Sequence, residues 1–423
     1  MGFHIKPFGW MDLLTFTRLV PQRNAAIEAA SDEALPHLEA YPMNTLAQAA
    51  HPPVQHLKVA NVEDISPVVR RFTLVPDRER GTHALAPFRA GQYLSLRLSI
   101  DGSKTNRAYS LCSAPQAAVA DNGAAGGSAN GTANNPAGGP ADGQPFYQIA
   151  VKREDDGFVS KHVFDTFSVG TAVDASAPAG HLCPSSIRDE RHIVCVAGGI
   201  GITPFLSLAH AVAGGIEEFQ LTIVCSNRTC SDALFHDELE HLAGCSNGRV
   251  RIVHTLTREE KEGFRSGRVS AAMLSEVCDL AGSSFFICGP NAMGSALEAD
   301  LLAAGVPRRR VRRETFTTVA RGNEELRTHL LTVRVKHDVR TMPCREDESL
   351  LVAVERDGIA FDALCRSGSC GCCRARLIAG EVHIEAAQEA DGDGRRAADQ
   401  ARGRVHLCCT YPRSDAEIDL TQR

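Results

Sequence analysis

The sequence lacks any surplus of positive charge. Its 45 Lys and Arg face 51 Asp and Glu over 423 residues, a net charge of −6. That balance argues against a nucleic-acid binder and against a protein held electrostatically on anionic lipid. The basic run Arg308–Arg313 is short enough to be a local patch. No clean apolar segment opens the chain, because Lys6, Asp12 and Arg18 interrupt Met1–Val20, so no secretion signal is expected. Internal repeats are lacking, which argues against a solenoid. No membrane span is expected, although one run is long enough for it. Ile193–Ile216 carries no formal charge with His210 neutral, but it contains Gly198-Gly199-Ile200-Gly201 and Pro204. It reads as a strand, a glycine turn and a helix rather than a bilayer span.

What the sequence has in quantity is cysteine, 15 residues. Six of them, Cys365, Cys370, Cys372, Cys373, Cys408 and Cys409, lie close together near the C-terminus. Such clustering in a long chain predicts a metal centre in a reducing cytoplasm rather than a disulfide scaffold. The scattered remainder read as small buried hydrophobes. An apolar fraction of 43% and a charged fraction of 23% are ordinary for globular domains.

The texture changes along the chain. Residues 1–51 form an extension with a plausible helix at Asp32–Leu38 and a turn at His51-Pro52-Pro53. Residues 52–187 show short alternating strands, such as His56–Val62, Arg70–Val75, Gln92–Leu98 and Tyr147–Lys152, predicting an antiparallel β-barrel. The Ala-, Gly- and Asn-rich stretch 116–144 interrupts them and is expected to be a disordered loop. Residues 188–320 alternate buried-strand runs (Ile193–Ala197, Gln220–Cys225, Val250–His254, Ser284–Cys288) with helical stretches at Asp232–Ala243 and Asn291–Ala304. That alternation predicts an α/β domain with a parallel sheet. A polar linker near 317–328 leads to a small strand-rich unit, 329–423, that carries the cysteine cluster.

Three motifs carry chemistry. Cys365, Cys370 and Cys373 stand in C-x4-C-x2-C spacing, the plant-type pattern for a [2Fe–2S] cluster, with Cys408 or Cys409 as fourth ligand. Gly368 and Gly371 suit the tight turns that aim backbone N–H groups at sulfur. The competing reading, a zinc-stabilised binding module, would want a second C-x2–4-C knuckle, which adjacent cysteines cannot form. In Arg107-Ala-Tyr109-Ser110-Leu-Cys-Ser113, an Arg suits a phosphate, a Tyr can stack on a flavin ring, and the Ser hydroxyls can bond its polar edge. The turn Gly198-Gly199-Ile-Gly201-Ile-Thr203-Pro204 lets backbone approach a pyrophosphate at a helix N-terminus, though its spacing is not G-x-G-x-x-G. Phe286-Ile-Cys288-Gly289-Pro290 ends the last strand of that sheet, where open α/β folds bind ligands.

These motifs resemble the ferredoxin–NAD(P)+ reductase superfamily, and in this order the reductase components of Rieske-type oxygenases and their relatives. The resemblance covers the chain from about Val54 onward, without the 116–144 stretch. It implies a multidomain fold: an antiparallel β-barrel flavin domain, an α/β nucleotide domain and an α+β (β-grasp) ferredoxin domain. Plant-type ferredoxin domains separate their last ligand from a proline by three residues, which implies Cys408 in Leu407-Cys-Cys-Thr-Tyr-Pro412 and leaves Cys372 and Cys409 as spares. Val151, Lys152, Gly157, Val159 and Ser160 resemble the segment that meets the flavin pyrophosphate and ribityl chain. The implied flavin is FAD, with FMN the alternative used by a related subgroup. The implied sites beside the nicotinamide and flavin are Cys288, Gly289, Pro290 and Phe316. Arg228, in the loop after the second strand of the α/β unit, could hold a 2′-phosphate, so NADH and NADPH both stay open, with a lean to NADH. The implied activity is hydride transfer from NAD(P)H to flavin and single-electron delivery through [2Fe–2S] to an oxygenase component or another redox protein, an anaerobic partner included.

Overall fold

Alternating apolar residues drive the first sheet. In the computed structural model, which describes residues 17–25, 42–119, 140, 143–314, 326–385 and 397–421, six antiparallel strands form the order β4-β3-β6-β1-β2-β5. They are β1 (Gln55–Ser66), β2 (Val69–Pro76), β3 (Tyr93–Ile100), β4 (Ser103–Ser110), β5 (Tyr147–Lys152) and β6 (Ala172–Ala175). A bridge between Leu111 and Ile149 joins the end of β4 to β5 and closes the barrel. Leu57, Phe72, Leu74, Leu94, Leu96 and Ile149 fill it. Helix α3 (Phe158–Thr166) follows β5 and buries Val159, Val163 and Phe164.

Residues 1–48 form a unit of their own. There residues 17–25 are helical, and α2 (Pro42–Ala50) begins within it. The expected helix at Asp32–Leu38 lies outside the described residues.

The second sheet is parallel throughout, in the order β10-β9-β8-β7-β11-β12. Its strands are β7 (His192–Gly198), β8 (Gln220–Asn227), β9 (Val250–Leu256), β10 (Arg265–Ser266), β11 (Ser283–Cys288) and β12 (Val311–Glu314). Helices α4 (Thr203–Ala213), α5 (His236–Cys245), α6 (Ala271–Ser275) and α7 (Asn291–Ala303) connect them. The first strand, β7, is central, and the chain builds outward from it in both directions. The crevice where that direction switches lies between β7 and β11.

Helix α4 explains the uncharged run Ile193–Ile216. Nine of its residues are buried, because the helix is apolar all round and packed on both sides. One face meets its own sheet. The other meets Val69, Ala90, Cys112, Ala150 and Leu182 of the barrel, in one shared core. Among the described residues no helix is long and apolar enough to cross a membrane.

The third sheet has the order β14-β13-β19-β15-β17. Its strands are β13 (Thr328–Val335), β14 (Asp338–Arg345), β15 (Arg374–Ala379), β17 (Arg404–His406) and β19 (Ala416–Asp419). The parallel pair β13–β19 sits among antiparallel neighbours. A two-stranded ribbon of β16 (Val382–Ile384) and β18 (Thr410–Pro412) stands beside it. Helix α8 (Leu350–Arg356), capped by the Ser349 hydroxyl, lays Leu350, Leu351, Ala353 and Val354 into the core. A short helix, α9 (Ala397–Ala401), precedes β17.

Expected strands recur with small shifts in their ends. Helix α5 starts later than the expected Asp232, because Cys230–Asp232 form a 3-10 turn and Phe235 adopts φ 56° before the helix begins. The stretch 116–144 is not uniformly loop at its start. Pro115–Ala118 form a 3-10 turn that buries Ala117 and Ala118, while 120–139 and 141–142 lie outside the described residues.

Phe286 lies fully buried in β11 with the Arg312 guanidinium 4.6 Å from its ring centroid. Phe286→Ala is expected to destabilise the α/β unit by about 3–5 kcal/mol. A lower midpoint in urea unfolding, followed by near-UV circular dichroism, is the check.

Candidate functional site

The cysteine loop, residues 362–373, has no regular secondary structure. Three positive-φ residues wind it: Arg366 at 55°, Gly368 at 78° and Gly371 at 73°. A Cβ at Gly368 would stand 2.8 Å from the Cys409 sulfur, so only glycine fits. The winding turns N–H groups inward. Ser367 N and Cys370 N each donate to Cys365 Sγ at 3.4 Å, Gly368 N donates to Cys408 Sγ at 3.3 Å, and Cys372 N donates to Cys370 Sγ at 3.4 Å. The thiols touch in a chain. Cys365 meets Cys370 and Cys408, and Cys408 meets Cys373. Hydrogen bonds from Cys370 and then Cys408 hold the Cys365 thiol well below its usual range, and the same bond pushes Cys370 up. Cys372 is exposed, with its thiol lowered to about 7 by Cys370. The Cys409 thiol donates a hydrogen bond to His406 O at 3.4 Å. The geometry thus favours Cys408 over Cys409 as fourth ligand.

This donor set fits an iron–sulfur cluster. Four cysteine sulfurs are gathered, three of them from buried residues, and those of Cys365, Cys370 and Cys408 receive backbone N–H bonds of the kind that tune such clusters. It fits a single zinc ion poorly. Among the described residues, the group of three or more His, Cys, Asp or Glu ligand atoms gathered within 4.8 Å lies elsewhere, on α5 and β9.

The flavin motif occupies the end of β4. The Ser110 hydroxyl oxygen is buried with no partner. Arg107 donates to Thr105 Oγ1 at 3.1 Å and Asn106 O at 2.8 Å. Burial, and then Arg366, press its guanidinium down to about 10. Among the described residues no carboxylate pairs with it, which leaves it suited to a phosphate. Burial pushes the Tyr109 phenol up to about 12, and the ring packs on the barrel core. Ser113 is committed to the barrel, since its hydroxyl accepts from Gln148 N at 3.1 Å. Val151 and Val159 belong to the barrel core, so only their backbone could meet a ligand. Lys152 pairs with Glu154 at 2.7 Å. Gly157 caps α3 without a side-chain bond, and a Cβ there would strike Ser160 Oγ at 2.2 Å. That open helix start suits an anion. An orphaned hydroxyl, a half-buried cation with no carboxylate partner and an uncapped helix start together fit a flavin nucleotide.

The nicotinamide motifs converge at the switch point. A Cβ on Gly201 would stand 2.2 Å from Cys288 O, and one on Gly198 would stand 2.7 Å from Pro290 Cδ. The glycines therefore let the turn after β7 lie directly on the end of β11. Thr203 donates its hydroxyl to Ile200 O at 3.1 Å, and Pro204 follows at the start of α4. Cys288 is fully buried, and burial followed by Glu314 raises its thiol. Arg228 is exposed just past β8. Phe316 lies outside the described residues.

Several residues escaped the sequence reading. Tyr93 is 3% exposed, and its phenol is pushed up by burial and then by Cys365, Cys370 and Glu314. It therefore stands where the cysteine loop, β4 and β12 meet. Arg366 donates to Thr105 Oγ1 at 3.0 Å, to Asn106 Oδ1 at 3.0 Å and to Glu355. Asn106 Nδ2 donates to Ala363 O at 3.0 Å. This network binds the cysteine loop to the flavin strand. An arginine inside the C-x4-C spacing and an acid ending α8 were its visible signals. Glu314 ends β12. Its Oε2 is buried without a partner, and burial, with Cys365 adding, pushes the carboxyl up to about 8.

The folded state therefore holds a proton on Glu314 that the unfolded chain releases above its ordinary value of 4.5. The associated stability is full below that value and is lost as pH rises through about 8. Glu314→Gln is expected to out-last the parent in thermal unfolding at about pH 9, with the gap closing towards about pH 5.

Comparison with known proteins places two domains on this chain. Residues 195–299 match the oxidoreductase NAD-binding domain, and residues 333–413 match the 2Fe-2S iron-sulfur cluster binding domain. The glycine betaine monooxygenase reductase subunit of Chromohalobacter salexigens is 26% identical over 83% of this chain and 91% of its own length. The ferredoxin reductase component of 3-ketosteroid-9-alpha-monooxygenase from Mycobacterium tuberculosis is 27% identical over 87% and 96%. The NADH oxidoreductase HCR of Escherichia coli is 26% identical over 79% and 89%. Among solved structures, phthalate dioxygenase reductase shares the fold, with a TM-score of 0.60 at 23% identity over 87% of this chain and 97% of that one. The chain is thus an oxidoreductase that joins an NAD-binding domain to a 2Fe-2S cluster binding domain, homologous over most of its length to the reductase components of oxygenase systems.

Proposed function

We propose that this chain draws hydride from NADH and hands single electrons to an oxygenase component. The observation that carries the reading is the junction of the cysteine loop with the flavin strand: Arg366 donates to Thr105 Oγ1 and Asn106 Oδ1 at 3.0 Å each, and Asn106 Nδ2 donates to Ala363 O at 3.0 Å. When bound, FAD supplies the conversion between a two-electron hydride and single electrons, and the [2Fe–2S] cluster supplies the one-electron exit.

The chain's own residues position and shield. Arg107 and the start of α3, from Gly157 to Ser160, hold the flavin phosphates. Tyr109 stacks on the flavin, and the orphaned Ser110 hydroxyl bonds its polar edge. FMN would use the same residues with a shorter tail. Gly198, Gly199, Gly201, Thr203 and Pro204 receive the nucleotide pyrophosphate. Cys288, Gly289 and Pro290 wall the nicotinamide side. Buried and protonated, Glu314 holds a proton at its carboxyl beside that pocket. Cys365, Cys370, Cys373 and Cys408 hold the cluster. The relatives named for monooxygenases support an oxygenase as acceptor. One relative's name specifies NADH, and Arg228 is the group that would instead receive a 2′-phosphate. A cytoplasmic location fits fifteen cysteines that all stand as free thiols.

Anaerobic titration of the loaded protein with NADH and with NADPH, followed optically, is the test. Flavin bleaching should precede cluster bleaching, and NADH should act at the lower concentration. Cys370→Ser should retain flavin reduction and lose electron delivery to the partner. Protein that takes up neither flavin nor iron and sulfide would overturn the reading. Arg366→Ala strips the partner from Glu355, which is 5% exposed. Breaking such a buried pair costs about 3–5 kcal/mol. Reduction of ferricyanide by NADH should persist in this variant, while stopped-flow cluster reduction slows.

A further inference from the structure

We propose that His236, Glu240 and His254 form a mononuclear site for a divalent transition metal of the zinc class. His236 opens α5, and Glu240 lies one turn later on the same face. His254 comes from β9, next to the edge strand of the parallel sheet. One ligand atom from each lies within 4.8 Å of the others. His254 Nε2 is 3.1 Å from His236 Nδ1 and 3.2 Å from Glu240 Oε1. Tetrahedral zinc, bonded at ~2.0–2.2 Å, sets its ligands ~3.3–3.6 Å apart. Small side-chain adjustments would bring these atoms to that spacing. Two imidazoles and a carboxylate are a borderline-soft nitrogen and oxygen set, suited to zinc rather than to calcium or magnesium.

Hydrogen bonding alone leaves the cluster unsatisfied. His254 is 8% exposed, and its Nδ1 has no partner. Its neutral ring carries one proton. With that proton on Nε2, the buried Nδ1 is an acceptor without a donor. With it on Nδ1, the Nε2 lone pair faces the Glu240 carboxylate at 3.2 Å. A cation between Nε2 and the carboxylate removes that repulsion and fixes the tautomer. The Phe264 ring covers one side, 4.9 Å from the His254 ring and 6.0 Å from the His236 ring. Glu240 keeps its side chain half exposed, at 50%, which leaves an entry path and room for water as a fourth ligand. Lys261 stands over the Phe264 ring, 4.8 Å from its centroid, and its ammonium donates to Cys230 Sγ at 2.8 Å. The ion would pin α5 to β9. It lies apart from the cysteine loop and does not depend on the electron-transfer reading.

The test uses the full chain loaded with flavin and cluster, cleared with a chelator and dialysed against zinc sulfate. Zinc and iron are counted per chain by elemental analysis. The expected result is one zinc at unchanged iron and unchanged visible absorbance, with a raised melting temperature. His236→Ala and Glu240→Gln should each weaken zinc binding more than about tenfold and abolish the thermal shift. His254→Ala removes a buried side chain and could simply unfold, so the two more accessible variants decide. No zinc on the parent chain, or undiminished zinc on both variants, overturns the proposal.

Discussion

Arg366 pressed against Glu355, Thr105 and Asn106 is the contact on which the arrangement depends. Electron transfer between two protein-held centres needs a fixed separation, and short chain segments alone cannot fix it. Here the loop that gathers the cysteines sends its own arginine into the strand that carries Tyr109 and Ser110. The charges are almost out of water, at 11% and 7% side-chain exposure, so the pair is strong only while both partners stay in place. Arg366 also sits at a positive φ that disfavours ordinary side chains. The same residue therefore shapes the sulfur cradle and ties it down.

The other half of the assembly is held differently. The barrel and the parallel sheet share one apolar core through α4, and buried Arg71 bridges Glu63 at 2.7 Å and Glu238 at 2.6 Å across that seam. Non-directional burial sets these two units rigidly against each other. Directional hydrogen bonds set the third. The nucleotide pocket then follows from backbone approach, because the turn after β7 can lie on Cys288 only where side chains are missing.

Much of this was legible before any coordinates. Period-two alternation marked β1, β2, β3 and β5, and short, mostly apolar runs marked the buried strands of the parallel sheet. The spacing of Cys365, Cys370 and Cys373 marked the sulfur loop, since ligand spacing is a local property. Strand β4 was legible only through the flavin motif at its end, because Lys104, Asn106 and Arg107 hide its alternation. The clamp at Arg366 and Glu355 and the orphaned oxygen of Glu314 were not assigned. They are contacts between residues far apart in the chain, and no local pattern records them. Likewise Ser113 looked like a flavin contact by type, yet its hydroxyl serves the backbone of Gln148.

The stretch after Ala118 begins and ends at one point. Ala117 O accepts from Phe146 N at 2.8 Å, and both residues are buried. Whatever chain runs between them is closed at its base like a purse string. Doubling its length adds only about 0.6 kcal/mol of closure entropy. Natural selection can therefore lengthen, trim or replace this segment while the barrel keeps its register, which makes it a natural graft point for new modules.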